Sequence, residues 1–205
     1  MKTLITTILL VLSVQGAVAQ QTIEDIRKAY ASAKEYIGMM SDDFPGEGIP
    51  PEYYHLHVSQ MLPATGLHRE DIRLYYNDVE EENKEEPRIY PLHYLRFAST
   101  KYNYAAREFY EEYLYDDDGK IAFIYARTPD AHEDLATLHD LRFYFSNGKL
   151  IRATVKSGPL DATELKDIYS GTTVPKQYDR IYQSLLLSAK NYMGLFESIE
   201  NTTHL

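Results

Sequence analysis

Between residues 53 and 156 the apolar side chains recur at every second position. Tyr54, Leu56 and Val58 alternate with His55, His57 and Ser59, and Ile72, Leu74 and Tyr76 alternate with Arg73 and Tyr75. A repeat of two belongs to a β-strand, whose side chains point to opposite faces in turn. Residues 89–98 have the same character, with Pro91 suiting an edge position or a strand start. Two turns then fix the pairing. Residues 108–115 lead through Asp116-Asp117-Asp118-Gly119 into 120–127, and residues 141–145 lead through Ser146-Asn147-Gly148 into 149–156. Asp-Gly and Asn-Gly supply the positive φ that tight hairpins require. This middle of the chain is committed to antiparallel sheet.

Both flanks carry a helical repeat instead. Thr22 followed by Asp25 is a helix start, and Ile23, Ile26, Tyr30, Ala33, Ile37 and Met40 recur at three and four residues. The Pro- and Gly-rich residues 44–51 stop that helix. Near the other end, residues 161–169 read as a short helix. Pro175 then opens a long one whose stripe includes Tyr178, Tyr182, Leu185, Ala189 and Phe196. The expected fold is α+β: one antiparallel meander of about 6–7 strands, with the N- and C-terminal amphipathic helices packed on one face.

The two hairpins read alike. Tyr113-Leu114-Tyr115 precedes Gly119-Lys120-Ile121, and Phe143-Tyr144-Phe145 precedes Gly148-Lys149-Leu150, with the glycines 29 apart. Hairpins of the form Tyr-Asp-x-x-Gly-Lys-aliphatic resemble those of uncharacterised exported bacterial proteins. The resemblance covers about a dozen residues per copy and implies antiparallel sheet, not an activity.

Lys2, the apolar residues 4–14 and Ala17-Val18-Ala19 have the order of a secretory signal peptide, too short for a membrane span. The expected division is therefore a leader at 1–19 and a single domain at 20–205, working outside the cytoplasm, in the periplasm or secreted. The chain has no cysteine, which excludes disulfides, thiol catalysis and cysteine–zinc sites. Removing Lys2 with the leader leaves 20 basic against 31 acidic residues, a balance of −11 that argues against nucleic acid and anionic lipid as partners. Residues 78–86 concentrate six of those acids, as a solvated loop would.

Three constellations are chemically suggestive. His55 and His57 share a strand face, so both imidazoles point one way and could hold zinc if a third ligand converged. The cupin pattern needs a glutamate about four positions further on, where Gln60 and Met61 stand. Glu108, Glu111 and Glu112 sit among tyrosines, as a glycosidase's paired acids would. The third constellation is aromatic. The chain has 19 Tyr, 7 Phe and no Trp, and Tyr110, Tyr113, Tyr115, Tyr125 and Tyr144 crowd the central strands beside Arg127 and Arg142. Arginine stacks on tyrosine and still offers a fork of donors.

Other motifs dissolve on inspection. Leu62-Pro63-Ala64-Thr65-Gly66 spells the sortase pentapeptide, but with no apolar tail behind it, and reads as a turn. Asp116 to Gly119 lacks the further oxygen ligands of a calcium loop. No nucleophile elbow and no phosphate-binding glycine loop is present. The expected function is thus non-enzymatic binding of a glycan, a peptide or an envelope protein on a Tyr/Arg-rich sheet face. The alternative is a small extracytoplasmic hydrolase, metal-dependent through His55 and His57.

Overall fold

The computed structural model describes residues 21–79, 92–129 and 137–203; the leader, Pro91 and the acidic residues 80–86 lie outside them. Helix α1 (Ile23–Met39) opens on a capping box in which Thr22 and Asp25 satisfy each other's backbone N–H groups. Eight strands follow: β1 (Tyr53–Leu62), β2 (Gly66–Asp78), β3 (His93–Tyr104), β4 (Arg107–Tyr115), β5 (Ile121–Pro129), β6 (Thr137–Ser146), β7 (Lys149–Pro159) and β8 (Lys166–Gly171). All pair antiparallel with their sequence neighbours, in the order β1 to β8, so the sheet is a meander. A 3₁₀ turn (Lys176–Tyr178) begun by Pro175 leads into α2 (Asp179–Thr203).

The turns form as their residues require. Asn147 and Gly148 both take positive φ, 51° and 72°, and close the β6–β7 hairpin in two residues. The sortase-like pentapeptide is the β1–β2 turn, with Leu62 paired to Gly66 and Ala64 at φ 62°. At Asp116–Gly119 the acids serve the backbone: Asp116 Oδ1 accepts from the amides of Asp118 and Lys120.

Two expectations need correction. The sheet has eight strands rather than six or seven, because part of residues 161–169 forms β8 on the outer edge of β7. Helix-compatible residues there pair instead with the open edge of β7, a row of unpaired N–H and C=O groups that templates a further strand. Nor do the two helices share a face. Successive strand residues divide between two cores, with Leu114 on one side and Tyr113 and Tyr115 on the other. α2 buries Leu185, Ala189, Tyr192 and Phe196 against Tyr113, Ile124, Phe143 and Val155. α1 buries Ile26 against Tyr75, Phe97, Leu114 and Phe123 on the opposite face. A sheet covered on both sides needs continuous apolar runs, and Phe143-Tyr144-Phe145 is one, at 0, 4 and 2 % exposure.

A buried carboxylate of β4 stands on each side of the sheet. On the α1 side Glu112, 2 % exposed, accepts from Lys34 Nζ at 2.6 Å, from the Tyr110 hydroxyl at 2.6 Å and from the Tyr30 hydroxyl. On the α2 side Glu111, 8 % exposed, accepts from the Tyr102 hydroxyl at 2.8 Å and from the Tyr113 hydroxyl. Tyr192 of α2 donates to neighbouring Glu70 at 3.3 Å. Burial pushes the Glu111 carboxyl above its ordinary value; the two tyrosine hydroxyls pull it down, and the charge of Glu70 adds to the rise.

These anchors set two expectations. Tyr30→Phe removes one donor from a buried carboxylate and costs about 1–3 kcal/mol, read as a lower denaturation midpoint at unchanged slope. At Glu111 the folded value lies above the unfolded one. Its favourable contribution is therefore complete below about pH 4.3 and is lost as pH rises through the folded value. Glu111→Gln keeps the shape and an acceptor, so its stability relative to wild type should climb from pH 4 to pH 8 in urea titrations. Parallel profiles would refute that assignment.

Candidate functional site

Strand register divides the α1 face into rows running across the sheet. The row beneath the helix is Tyr53, Tyr75, Phe97, Leu114, Phe123 and Tyr144, reaching Arg152 on β7. It is apolar up to β6, and α1 covers it. The next row is His55, Arg73, Ser99, Glu112, Tyr125, Arg142, Thr154 and Ser170. The third is His57, Asp71, Lys101, Tyr110, Arg127, Asp140, Lys156 and Asp167. These outer two rows hold no aliphatic side chain. Apart from buried Glu112, every residue in them is half-buried or exposed. Together they form a polar shelf beside α1, roughly 34 Å across at about 4.8 Å per strand.

Over β4–β6, in the middle of this shelf, four of the expected binding residues meet. Tyr110 faces Arg127, and Tyr125 faces Arg142. Asp140 stands among them: it accepts from the Tyr125 hydroxyl at 3.1 Å and lies 4.0 Å from both Arg127 Nε and Arg142 Nη2. Burial first, and then the charge of Asp140, push the Tyr125 hydroxyl up to about 12, so it stays a donor. The Arg142 guanidinium lies over the Tyr125 ring, 5.3 Å from its centroid. Asp140 was not singled out from sequence, although a lone acid facing Arg127 in register is the signal that would have found it.

The remaining expectations for this face do not survive. Tyr113 and Tyr115 are on the α2 side, 0 and 2 % exposed, and Tyr115 donates to the Ala189 carbonyl at 2.7 Å. Residues three apart on a strand cannot share a face, so Tyr110 and Tyr113 were never one surface. Tyr144 is on the α1 side but only 4 % exposed, with the Arg27 guanidinium 5.6 Å from its ring centroid. It supports an arginine and offers no free ring. Nor do the three glutamates form a catalytic group. Glu111 and Glu112 point to opposite faces, and Glu108 pairs with Lys101 at 3.2 Å.

His55 and His57 do share a face. Both imidazoles reach one carboxylate oxygen, Asp71 Oδ1, at 3.3 and 3.0 Å. The His57 hydrogen bond, more than that of His55, holds the Asp71 carboxyl below its usual range. Among the described residues no group of three or more His, Asp, Glu or Cys side chains is placed to hold a metal ion. The described residues therefore bring no third ligand to His55 and His57 of the kind the zinc reading required.

An open-sided groove of about 520 Å³ lies between Arg27 of α1 and β6–β8, lined by Arg142, Tyr144, Thr154, Lys156, Asp167 and Ser170. A recess of about 210 Å³ shares its Arg27, Arg142 and Tyr144 walls and is floored by Ile26, Tyr30 and Phe123. Among the described residues no helix is long and apolar enough to cross a membrane. No family model, curated protein or solved structure matches the chain.

Proposed function

We propose that this is an exported, non-enzymatic recognition protein that binds a glycan, a peptide or an envelope protein on the shelf beside α1. One observation carries the reading: register and the hub at Asp140 bring Tyr110, Tyr125, Arg127 and Arg142 into one accessible patch. A hydrolase concentrates converging acids, bases or metal ligands in an enclosed pocket. Here the buried acids Glu111 and Glu112 are saturated by tyrosine hydroxyls, and the accessible cations and phenols spread along an open surface. Such a surface suits affinity gathered over several weak contacts, with hydrogen bonds in fixed register, rather than chemistry at one atom.

The test uses the purified protein against arrays of defined glycans, of peptides and of isolated envelope proteins. Arg127→Ala removes an exposed shelf side chain without touching either core. It is expected to weaken the wild-type interaction by about tenfold, the effect of losing about 1.4 kcal/mol of contact energy, while stability falls by no more than the about 0.2–1 kcal/mol of a cross-strand charge pair. Binding that is indifferent to Arg127→Ala and to Tyr125→Ala, or absent from all three arrays, would overturn the reading.

A further inference from the structure

We infer that the groove between α1 and β6–β8 is a carboxylate subsite, and that the shelf is built for an acidic polysaccharide. The inference rests on the recognition reading above and names its ligand class. Three cations line the groove, Arg27, Arg142 and Lys156, against the single carboxylate of Asp167. Asp167 is 3.8 Å from Lys156, and the other acid in reach of the cluster, Asp140, is 4.0 Å from Arg142. Arg27 has no carboxylate partner among the described residues; its guanidinium rests on the Tyr144 ring. A local excess of positive charge in a chain of net charge −10 is left over after internal pairing. Two guanidiniums held over tyrosine rings are pre-organised forks, the donor geometry that a planar carboxylate accepts.

The rest of the shelf selects the kind of chain that carries the carboxylate. A protein interface has an apolar centre, and most peptide-binding modes seat apolar side chains in a series of pockets; here the recess with an apolar floor, at Ile26 and Phe123, adjoins the groove alone. The two open rows contain no aliphatic residue. Asp71, Asp140 and Asp167 recur along the third row, which opposes a nucleic-acid backbone with a charge at every phosphate. Between those acids the cations Lys101, Arg127 and Lys156 occupy every second strand, a spacing of about 9.6 Å. In an extended linear uronate polymer the carboxylates of alternate residues face one side at intervals of that order, separated by hydroxyls that Thr154, Ser170 and Tyr125 can meet.

The experiment is a calorimetric titration of the purified protein with oligogalacturonate, oligoglucuronate and alginate fragments, each beside its methyl-esterified form. At least one acidic series should bind, at least tenfold more tightly than its ester, and more weakly as salt is raised. Arg27→Ala, on an exposed helix position, should lower that affinity at unchanged thermal midpoint, and Arg142→Lys should not restore what Arg142→Ala loses. Esters that bind as well as acids, with binding still lost in Arg127→Ala, would overturn the carboxylate subsite and leave the recognition shelf standing. No acidic series binding, or Arg27→Ala and Arg142→Ala both binding as wild type, would overturn the inference outright. A peptide captured in preference to every uronate would do so too.

Discussion

The structure depends on tyrosine hydroxyls donating to carboxylates inside the protein. Nine of the 19 tyrosines donate to a carboxylate among the described residues, seven of them at buried or part-buried sites, and the partners include both buried acids of β4. A carboxylate under a helix must have donors or it lifts the helix away. Lysine or arginine would bring a second charge needing its own desolvation. Tyrosine brings a donor at the end of a rigid apolar ring, so one residue fills the core and satisfies the acid. That is the physical content of a chain with 19 Tyr and 31 acids and no disulfide to hold it.

From that constraint the shelf follows. Tyr30 and Lys34 bind Glu112, which stands in the second row of the α1 face. They fix the line along which α1 crosses the sheet, so the helix covers the apolar row and stops at the next. A helix displaced by one row would leave Phe97 and Phe123 wet and cover Tyr125 and Arg142. The accessibility of the candidate site is therefore set by a buried hydrogen-bond cluster that touches no ligand. The same β4 segment faces both ways: Glu111 supports the α2 side with Tyr102 and Tyr113, and Glu112 supports the α1 side.

Local chemistry was legible in the sequence and spatial choice was not. The Thr22–Asp25 capping box, the Asn147-Gly148 turn and the α2 stripe stand where their residues placed them. An amphipathic stripe states that a helix buries one side, but not which side of a sheet receives it, and so both helices were assigned to one face. β8 was missed because residues 161–169 have no strand signal of their own; the edge of β7 imposes one. The grouping of tyrosines and arginines on one side of the sheet was only partly legible. Tyr110, Tyr125, Arg127 and Arg142 share it, and Tyr113 and Tyr115 fall on the other side by parity alone. The anchors of Glu112 lay out of reach, since Tyr30 is 82 residues away in sequence.

Cross-strand pairing and ligand recognition are often treated as competing accounts of Tyr/Arg-rich strands, but here they use different members of one set. In the third row Asp71 meets Lys101, Arg127 meets Asp140, and Asp140 meets Lys156. Such opposite-charge neighbours stabilise an exposed sheet by about 0.2–1 kcal/mol each. What pairing leaves over is uneven. On β2 the acid Asp71 is occupied by His55 and His57, whereas at the β6–β8 end Arg27 arrives from the helix with a ring beneath it and no carboxylate partner among the described residues. Pairing holds the row in register, and the unconsumed cations at one end give it a direction. A charged polymer lying on such a surface would be gripped at the β6–β8 end and merely aligned elsewhere.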